Sequence, residues 1–459
     1  MNYKLFFTLF IYCLFTWQLT SAQNLSKVNT REVIAFSLEQ AQAYAYENNY
    51  DLKNSATDVE IARKMVKQNT AIGLPQINAG VDYMDYIKSP TSVIPNFLQY
   101  LDTTGRGPKT LEVSFGVKYN LSAKATLTQL IYSGQYLVGL QTAKAYLETS
   151  KQKNVKDKTD VRDFVADAYM RLLVIDQALL ILDSTYVVVS RMVDEARKSY
   201  ENGLIEDIDV DQADLTRSNL EASITDTKNG RNVAYANLKF LIGLKDNQEM
   251  TLTDNLLFFL AQVDRDALIS QQFDYKTNLD YTLLKRADYL ILMQYKLAKT
   301  AYQPTLAGFL SYAQGAQRMK WTFFESKEPW FNTINWGASL TIPIWSSGSR
   351  KYSIDQARLN VEKTKVTDEK LRVGLELQVE TAKKDFSNAY AVYENKRKSF
   401  NTAQKIYDKT MIKYNQGVAS STDLLQRYNQ FLQANSDYMN SMYSVLNMKI
   451  RLNKLMEKY

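Results

Sequence analysis

Two long stretches, 135–202 and 349–416, contain no proline and a single glycine each, and they constrain the fold more than any other feature. Gly134 and Gly203 bound the first stretch, and Gly348 and Gly417 bound the second at the same spacing. Read as one helix, each stretch would be about 100 Å long at ~1.5 Å per residue, whereas an average globular helix has ~11–12 residues. The pattern therefore predicts one very long helix in each half of the chain, crossing a large structure.

A matching phrase after each stretch predicts a tight turn. The segments YENGLIEDIDV (200–210) and YNQGVASSTDL (414–424) both read Tyr-x-x-Gly, with an aspartate at the same position after the glycine. Gly203 and Gly417 suit the left-handed position at a helix end, because glycine has no Cβ to clash there. We expect two returning helices, at 209–242 and 423–457, to be capped respectively by Asp209 and Thr422.

The segments upstream of the long stretches also match each other. An Asn-x-Asp phrase stands at the same distance before a proline in both halves, at Asn49 before Pro75 and at Asn278 before Pro304. The first half is longer between this proline and the glycine that follows, and the extra length falls around 86–110, where an inserted loop is expected. The chain is therefore predicted to hold two tandem repeats. The predicted boundaries are 1–22 for a signal peptide, 23–246 for repeat 1 with a β-hairpin at about 76–131, 247–277 for a linker, and 278–459 for repeat 2 with a β-hairpin at about 305–345.

The segment 1–22 has the layout of a secretory signal. Lys4 precedes an apolar run at 5–15, which is too short to span a membrane, and small residues up to Ala22 suit cleavage. Cys13 is the only cysteine and histidine is absent, which excludes disulfide frameworks, zinc sites of Cys and His, and Ser-His-Asp triads. We expect a secreted protein without a catalytic, metal or cofactor site. The net charge of +7 is mild and predicts no nucleic-acid partner.

After each proline the apolar period changes to two, which predicts β-strands. Apolar and polar residues alternate strictly in LEVSFGVKYN (111–120) and again over 336–344, and shorter partners are INAGVDYMDY (77–86) and LAGFLSYA (306–313). Strands of about ten residues with one apolar face are typical of a membrane β-barrel, although hairpins on a soluble core show the same alternation. Four strands cannot close a barrel, and open edges are not tolerated in lipid, so membrane insertion would require oligomerisation.

The tryptophans that follow the signal segment all fall within the short window 321–345. Because tryptophan concentrates where a membrane protein meets the headgroup layers, this clustering favours insertion in a membrane. The predicted membrane-interface aromatics are Trp321, Trp330, Trp336 and Trp345.

Together these features resemble the TolC family of outer-membrane efflux proteins. The resemblance rests on LIYSG (130–134), IPIWSSG (342–348), the two Asn-x-Asp phrases and the two Tyr-x-x-Gly turns. It implies a mostly α fold with a small β part, in which a homotrimer forms a 12-stranded outer-membrane β-barrel continued by a periplasmic α-helical barrel. The expected location is the outer membrane of a Gram-negative bacterium, with the chain extending into the periplasm.

The same resemblance implies a passive channel and not an enzyme. The channel would belong to a tripartite efflux or type I secretion system, exporting small molecules or proteins that arrive through an inner-membrane transporter and a periplasmic adaptor. A secreted or periplasmic coiled-coil scaffold without a transport role is the alternative. The sequence leaves the substrate, the pump class and the adaptor open.

The resemblance also assigns roles to residues of the two turns. The implied adaptor-docking residues are Tyr200, Gly203, Leu204, Ile205, Tyr414, Gly417, Val418 and Ala419. The implied gate residues are Asp209, Tyr414 and Asp423. Ala419 occupies the place of the family's gate arginine, so an arginine clamp is not expected. The acidic residues near the first turn either attract cations or simply favour the following helix N-terminus.

Overall fold

The computed structural model describes residues 32–97, 109–114, 116–245 and 247–456. The predicted signal peptide at 1–22 lies outside the described residues. The chain divides into two compact units, each assembled from separate segments. Of the described residues, unit 1 contains those up to Lys53 and those within Lys158–Gln271 and Thr381–Lys454, and unit 2 contains those within Asn54–Asp157 and Gln272–Glu380 and those from Leu455.

Helices make up most of the described chain, with a smaller share of strands. The strands are β1 (Glu32–Phe36), β2 (Gln76–Asp85), β3 (Thr91–Pro95), β4 (Thr110–Ser114), β5 (Tyr119–Ser133), β6 (Gln248–Leu252), β7 (Thr305–Arg318) and β8 (Phe331–Thr341). The helices are α1 (Leu38–Asn48), α2 (Tyr50–Ala71), α3 (Gly134–Glu201), α4 (Asp207–Ile242), α5 (Leu256–Ala261), α6 (Arg265–Ser270), α7 (Leu279–Lys299), α8 (Ser349–Asn415) and α9 (Ser421–Met456), with 3-10 turns at Tyr275–Thr277 and Thr300–Tyr302.

The two very long helices are confirmed: α3 has 68 residues and α8 has 67. The returning helices α4 and α9 begin slightly earlier than predicted, at Asp207 and Ser421. Asp209 therefore lies within the first turn of α4, whose N-cap is Glu206. Ser420 occupies the capping position before α9, where its hydroxyl accepts from the Asp423 backbone. The prediction that Asp209 and Thr422 are the caps was wrong.

Unit 2 contains a four-stranded antiparallel sheet in the order β2-β5-β7-β8. The strand predicted over 111–120 was misplaced, because the partner of β2 is β5, while β4 pairs with β3 in a separate two-stranded sheet. The apolar face of β5 contains alanine as well as leucine, for example Ala123 and Ala125, so its alternation in hydropathy is weaker than that of 111–120.

Cross-strand pairing divides this sheet into an apolar and a polar face, because residues opposite each other in a sheet point the same way. The mainly apolar face carries Ile77, Ala79, Val81, Tyr83, Leu121, Ala123, Ala125, Leu127, Leu310, Tyr312, Ile334, Trp336, Ala338 and Leu340, and also Gln314 and Asn332. The mainly polar face carries Asn78, Asp82, Asn120, Ser122, Lys124, Thr126, Thr128, Ser311, Thr333, Asn335 and Ser339, and also Phe309 and Phe331. This sheet has the two-faced character that a membrane β-barrel requires.

Unit 1 contains most of α3 and α9, all of α4, and the parallel pair of β1 and β6. The Tyr169 hydroxyl of α3 donates a hydrogen bond to the Phe36 carbonyl oxygen at 2.9 Å and fixes α3 to β1. Between α8 and α9, aromatic rings follow one another at centroid distances of 5.2 to 6.5 Å. These rings are Phe386, Tyr390, Tyr393, Tyr438, Phe400, Phe431, Tyr407 and Tyr428.

The Asn-x-Asp phrases have a structural explanation, since each asparagine joins the start of one helix to the end of another. The Asn49 side-chain amide donates to the Leu241 carbonyl oxygen near the end of α4 at 2.7 Å, and its Oδ1 accepts from the Leu52 backbone at 3.0 Å. Asn278 caps α7 and donates to the Leu455 carbonyl oxygen near the end of α9 at 3.0 Å. The same connection is therefore made once in each half of the chain.

Candidate functional site: the two helical turns

The first turn joins α3 to α4 through a left-handed glycine. Gly203 has φ of 71° and donates its N–H to the Tyr200 carbonyl oxygen at 2.8 Å. The N–H of Leu204 donates to the Ser199 carbonyl oxygen at 2.9 Å. These two bonds form a Schellman motif, which satisfies carbonyl groups at the end of α3.

The second turn repeats this geometry between α8 and α9. Gly417 has φ of 73° and donates its N–H to the Tyr414 carbonyl oxygen at 2.9 Å. The N–H of Val418 donates to the Lys413 carbonyl oxygen at 2.8 Å. The shared Tyr-x-x-Gly phrase thus encodes the same helix ending twice.

Asp423 lies in the first turn of α9, where it takes part in the helix cap. Its backbone N–H donates to the Ser420 Oγ at 3.1 Å, and that hydroxyl donates to the Asp423 Oδ2 at 2.9 Å. The carboxylate also stands at the positive end of the helix dipole. Its position is therefore fixed by α9 itself.

The two turns lie together in unit 1. The Thr422 hydroxyl donates to the Asp209 Oδ1 at 3.2 Å, which links the start of α9 to the first turn of α4. Tyr414 and Ile205, one from each turn, pack against a shared apolar cluster. The buried members of this cluster are Met192, Val193, Ala196, Ala213, Leu424 and Leu425.

Tyr414, one of the implied gate residues, has a raised pKa. Burial raises the pKa of its phenol, and the carboxylates of Glu195 and Asp209 raise it further. Tyr414 therefore stays neutral at physiological pH and packs against the apolar cluster. The structure thus places Tyr414 and Asp209 near each other, with Asp423 on the neighbouring first turn of α9.

The implied docking residues differ in exposure. Leu204 and Val418 occupy equivalent positions after the two glycines and are 75% and 73% exposed. Tyr200 is also exposed, whereas Ile205 and Ala419 are partly buried. Leu204 and Val418 therefore form a repeated pair of apolar side chains available to a partner.

Asp214, one of the acidic residues near the first turn, has basic partners that the sequence analysis did not consider. Asp214 of α4 pairs with Arg197 of α3 at 2.9 Å and with Arg217 of α4 at 2.6 Å. Arg197 lies across the turn, so its charge is not visible in the local acidic run. The two arginines offset part of the negative charge predicted for this region.

The four tryptophans occupy different levels of the sheet in unit 2. Trp321 and Trp330 lie in the connection between β7 and β8, and Trp345 follows the end of β8. Trp336 lies in the middle of β8, opposite Leu310. At ~3.3 Å per residue it is roughly 16 Å along the strand from either end of β8. The interface position expected for Trp336 stays a prediction.

Residues 43–244 and 291–457 match the family described as outer membrane efflux protein. The matched residues are most of the chain and include both turns. The chain belongs to the outer membrane efflux protein family. It is thus an outer-membrane channel of tripartite efflux systems that extends into the periplasm, and not an enzyme. The alternative of a coiled-coil scaffold without a transport role was wrong.

Solved structures of efflux channels have the same fold as this chain. The outer membrane channel CmeC of Campylobacter jejuni shares 17% identity with a TM-score of 0.69, over 91% of this chain and 85% of that one. The open state of MtrE from Neisseria gonorrhoeae shares 16% identity with a TM-score of 0.67, over 95% and 94%. The outer membrane protein VceC of Vibrio cholerae shares 14% identity with a TM-score of 0.65, over 92% and 96%.

No curated protein sequence matches the chain. Channels of the outer membrane efflux protein family assemble as trimers with the other components of tripartite pumps. The four-stranded sheet and the paired helical turns of this efflux channel are therefore parts of one subunit.

Proposed function

We propose that three copies of this efflux channel close a single 12-stranded barrel. The sheet ends in β2 on one side and β8 on the other, and in the described residues neither strand has a partner on its outer edge. Unpaired backbone groups cost several kcal/mol each in lipid, so these edges must be paired. Pairing β8 of one subunit with β2 of the next continues the antiparallel order around a closed ring.

The polar face of the sheet lines the interior in this arrangement. Its side chains are mainly hydroxyls and amides, with Lys124 and Asp82 on neighbouring strands as the charged members among the paired residues. Such a wall offers hydrogen bonds without a strong charge of one sign. It suits a passive duct for small molecules or proteins.

Helical surfaces of unit 1 also support assembly. One 18-residue window of α3 is apolar enough to cross a membrane by composition, yet most of its residues are not buried in the single chain. Phe164, Leu180 and Val187 on α3 are each more than half exposed. Contact with helices of neighbouring subunits would cover these side chains in a periplasmic helical barrel.

The paired turns are proposed to be the periplasmic end of the duct. Leu204 and Val418 would contact a periplasmic adaptor, which connects the channel to an inner-membrane transporter. The bond between Thr422 and Asp209 would hold the two turns of a subunit together in the gate. Two repeats, 23–246 and 278–459, account for the duplicated turns and helices.

Engineered disulfides can test the barrel, because no cysteine follows the predicted signal segment. Asn78→Cys on β2 is combined in turn with Thr333→Cys, Asn335→Cys or Ser339→Cys on β8. Oxidation of outer membranes should give covalent trimers for at least one pair, measured by non-reducing electrophoresis. Thr126→Cys with Ser311→Cys is the matched control, because their hydroxyls lie 3.2 Å apart within one chain, and it should yield monomers only. Absence of trimers from all β2–β8 pairs would argue against the closed ring.

A further inference from the structure

The connection between β7 and β8, residues 319–330, folds onto the apolar face of the sheet. Phe323 in this connection is 1% exposed, and its ring meets the Tyr83 ring edge-on at a centroid distance of 6.2 Å. Tyr83 is opposite Leu121, which in turn is opposite Ala316, so all three lie on the apolar face. The connection therefore lies over the apolar face of the sheet and not over its polar face.

A buried arginine fixes this connection in place. Arg318, at the end of β7, is 7% exposed and donates from Nη2 to the Pro329 carbonyl oxygen at 2.6 Å. Its Nε lies 3.6 Å from the Glu328 carboxylate. These contacts hold both ends of the connection together and give it a defined shape.

With the apolar face of the sheet in lipid, the folded connection would stand at the level of the lipid headgroups. Leu306 and Ala316 of β7 are separated by about 33 Å along the strand, which is roughly 25 Å along the membrane normal at a tilt of ~40°. This distance matches the apolar band of an outer-membrane barrel. The connection lies at the end of the sheet opposite Gly134, where α3 begins, which is the outer-leaflet end of a channel whose helices extend into the periplasm.

Five exposed residues of this short connection are together called the outer patch: Met319, Lys320, Trp321, Phe324 and Lys327. Trp321 and Phe324 are 59% and 78% exposed, and their rings contact each other at 5.7 Å. In the described residues neither lysine has an ion-pair partner, while Glu328 is already paired with Arg318. The outer patch thus combines exposed aromatic rings with two available amines.

We propose that the outer patch binds the phosphorylated sugar headgroup of an outer-leaflet glycolipid. The indole ring of Trp321 presents a flat apolar surface to a sugar ring, and the lysine amines bind phosphate as point charges. Met319 and Phe324 contact the upper parts of the acyl chains. A simple phospholipid would leave the aromatic surface without a sugar partner. The proposal rests on the outer-membrane location and does not depend on closure of the trimer.

Binding of a defined lipid tests the proposal. The full chain is reconstituted in phosphatidylethanolamine nanodiscs with increasing amounts of diphosphoryl lipid A, and bound lipid A per chain is measured by mass spectrometry. Trp321→Ala with Phe324→Ala, and separately Lys320→Gln with Lys327→Gln, should each weaken binding about tenfold, equivalent to ~1.4 kcal/mol. Trp345→Ala is the matched control, since this tryptophan is 84% exposed but follows the opposite end of β8, and its binding should be unchanged.

If the aromatic variant fails to fold, the lysine variant still tests the proposal. Both lysines are exposed, so their replacement should not affect folding. Unchanged lipid A binding in the lysine variant would overturn the proposal. Equal retention of phosphatidylethanolamine and lipid A by the unmodified chain would also overturn it. Tight lipid A binding by a chain that forms no cross-linked trimer would leave this proposal standing while the closed barrel failed.

Discussion

The side-chain amide of Asn278 donates a hydrogen bond of 3.0 Å to the carbonyl oxygen of Leu455, so one residue caps α7 and also binds the end of α9. Asn49 makes the equivalent connection to Leu241 in the first half of the chain. Both asparagines are nearly fully buried. The Asn-x-Asp phrase therefore marks a structural joint between a short helix and the returning helix of the same half.

Replacement of this joint should destabilise the subunit. Asn278→Ala removes a helix cap and a buried hydrogen bond, which together should lower the free energy of unfolding by ~2–3 kcal/mol. Denaturant unfolding in detergent, followed by circular dichroism, measures the change. Asn202→Ala is the control, since the Asn202 amide binds the Lys198 carbonyl at an exposed helix end. Similar losses in the two variants would contradict a special role for the joint.

Thr422→Val should loosen the link between the two turns. The substitution keeps the shape of the side chain and removes the hydrogen bond to Asp209, with a cost of ~0.5–1.5 kcal/mol. If the link holds the gate, the ratio of open to closed channels should rise about two- to tenfold in single-channel recordings. Thr410→Val removes a comparable bond within α8, from Thr410 to Ile406, and should leave the recordings unchanged.

Gly417→Ala should destabilise the second turn through backbone strain alone. The residue has φ of 73°, and an added Cβ would meet no atom within 4 Å. The left-handed conformation costs a residue with a Cβ ~1–2 kcal/mol. Gly374→Ala, within α8 and also in open space, should instead stabilise by ~0.5–1 kcal/mol. Thermal unfolding midpoints that shift in the same direction would refute this explanation.

Tyr443 should contribute to loss of stability at alkaline pH. Burial, assisted by its hydrogen bond to Asp167 at 2.9 Å, raises the pKa of its phenol to about 12. Because the folded-state pKa lies above the ordinary value of ~10, this stability is complete below pH ~10 and is lost as pH rises towards 12. Tyr443→Phe should therefore flatten the decline in unfolding free energy over this range. Tyr146→Phe, at an exposed position, should keep the original slope.

Charged substitutions at the exposed turn residues should disrupt adaptor binding. Leu204→Asp and Val418→Asp place charge where an apolar contact is proposed, and co-purification of the native adaptor should fall at least tenfold, or ~1.4 kcal/mol. Leu377→Asp is the control, because this side chain is 63% exposed on α8 and lies many helical turns before Gly417. Full recovery of the adaptor with both turn variants would exclude this surface as the docking site.

Features with a local cause could be predicted from sequence. The long helices follow from the absence of proline, and the turns follow from Gly203 and Gly417, because only glycine adopts the left-handed conformation without cost. The depth of the tryptophans in the membrane was harder to predict. A tryptophan in a strand favours contact with a membrane but does not indicate how deep the residue lies. Trp336 is the example, as it shares the apolar face with residues in the middle of the sheet.

Features that depend on distant residues could not be predicted. The pairing of β1 with β6 joins Glu32–Phe36 to Gln248–Leu252, which are far apart in the sequence, and leaves no local signal. The bond between Arg197 and Asp214 depends on the turn that brings α3 beside α4. The misplaced strand has a different cause, because β4 shows strong alternation although it is not part of the four-stranded sheet.

The separate pairing of β3 with β4 has an evolutionary consequence. Because these strands bond to each other and not to the four-stranded sheet, changes in their length or sequence leave the hydrogen bonds of that sheet intact. The connection between β2 and β5 can thus change over evolution, while the conduit that the main sheet builds is preserved.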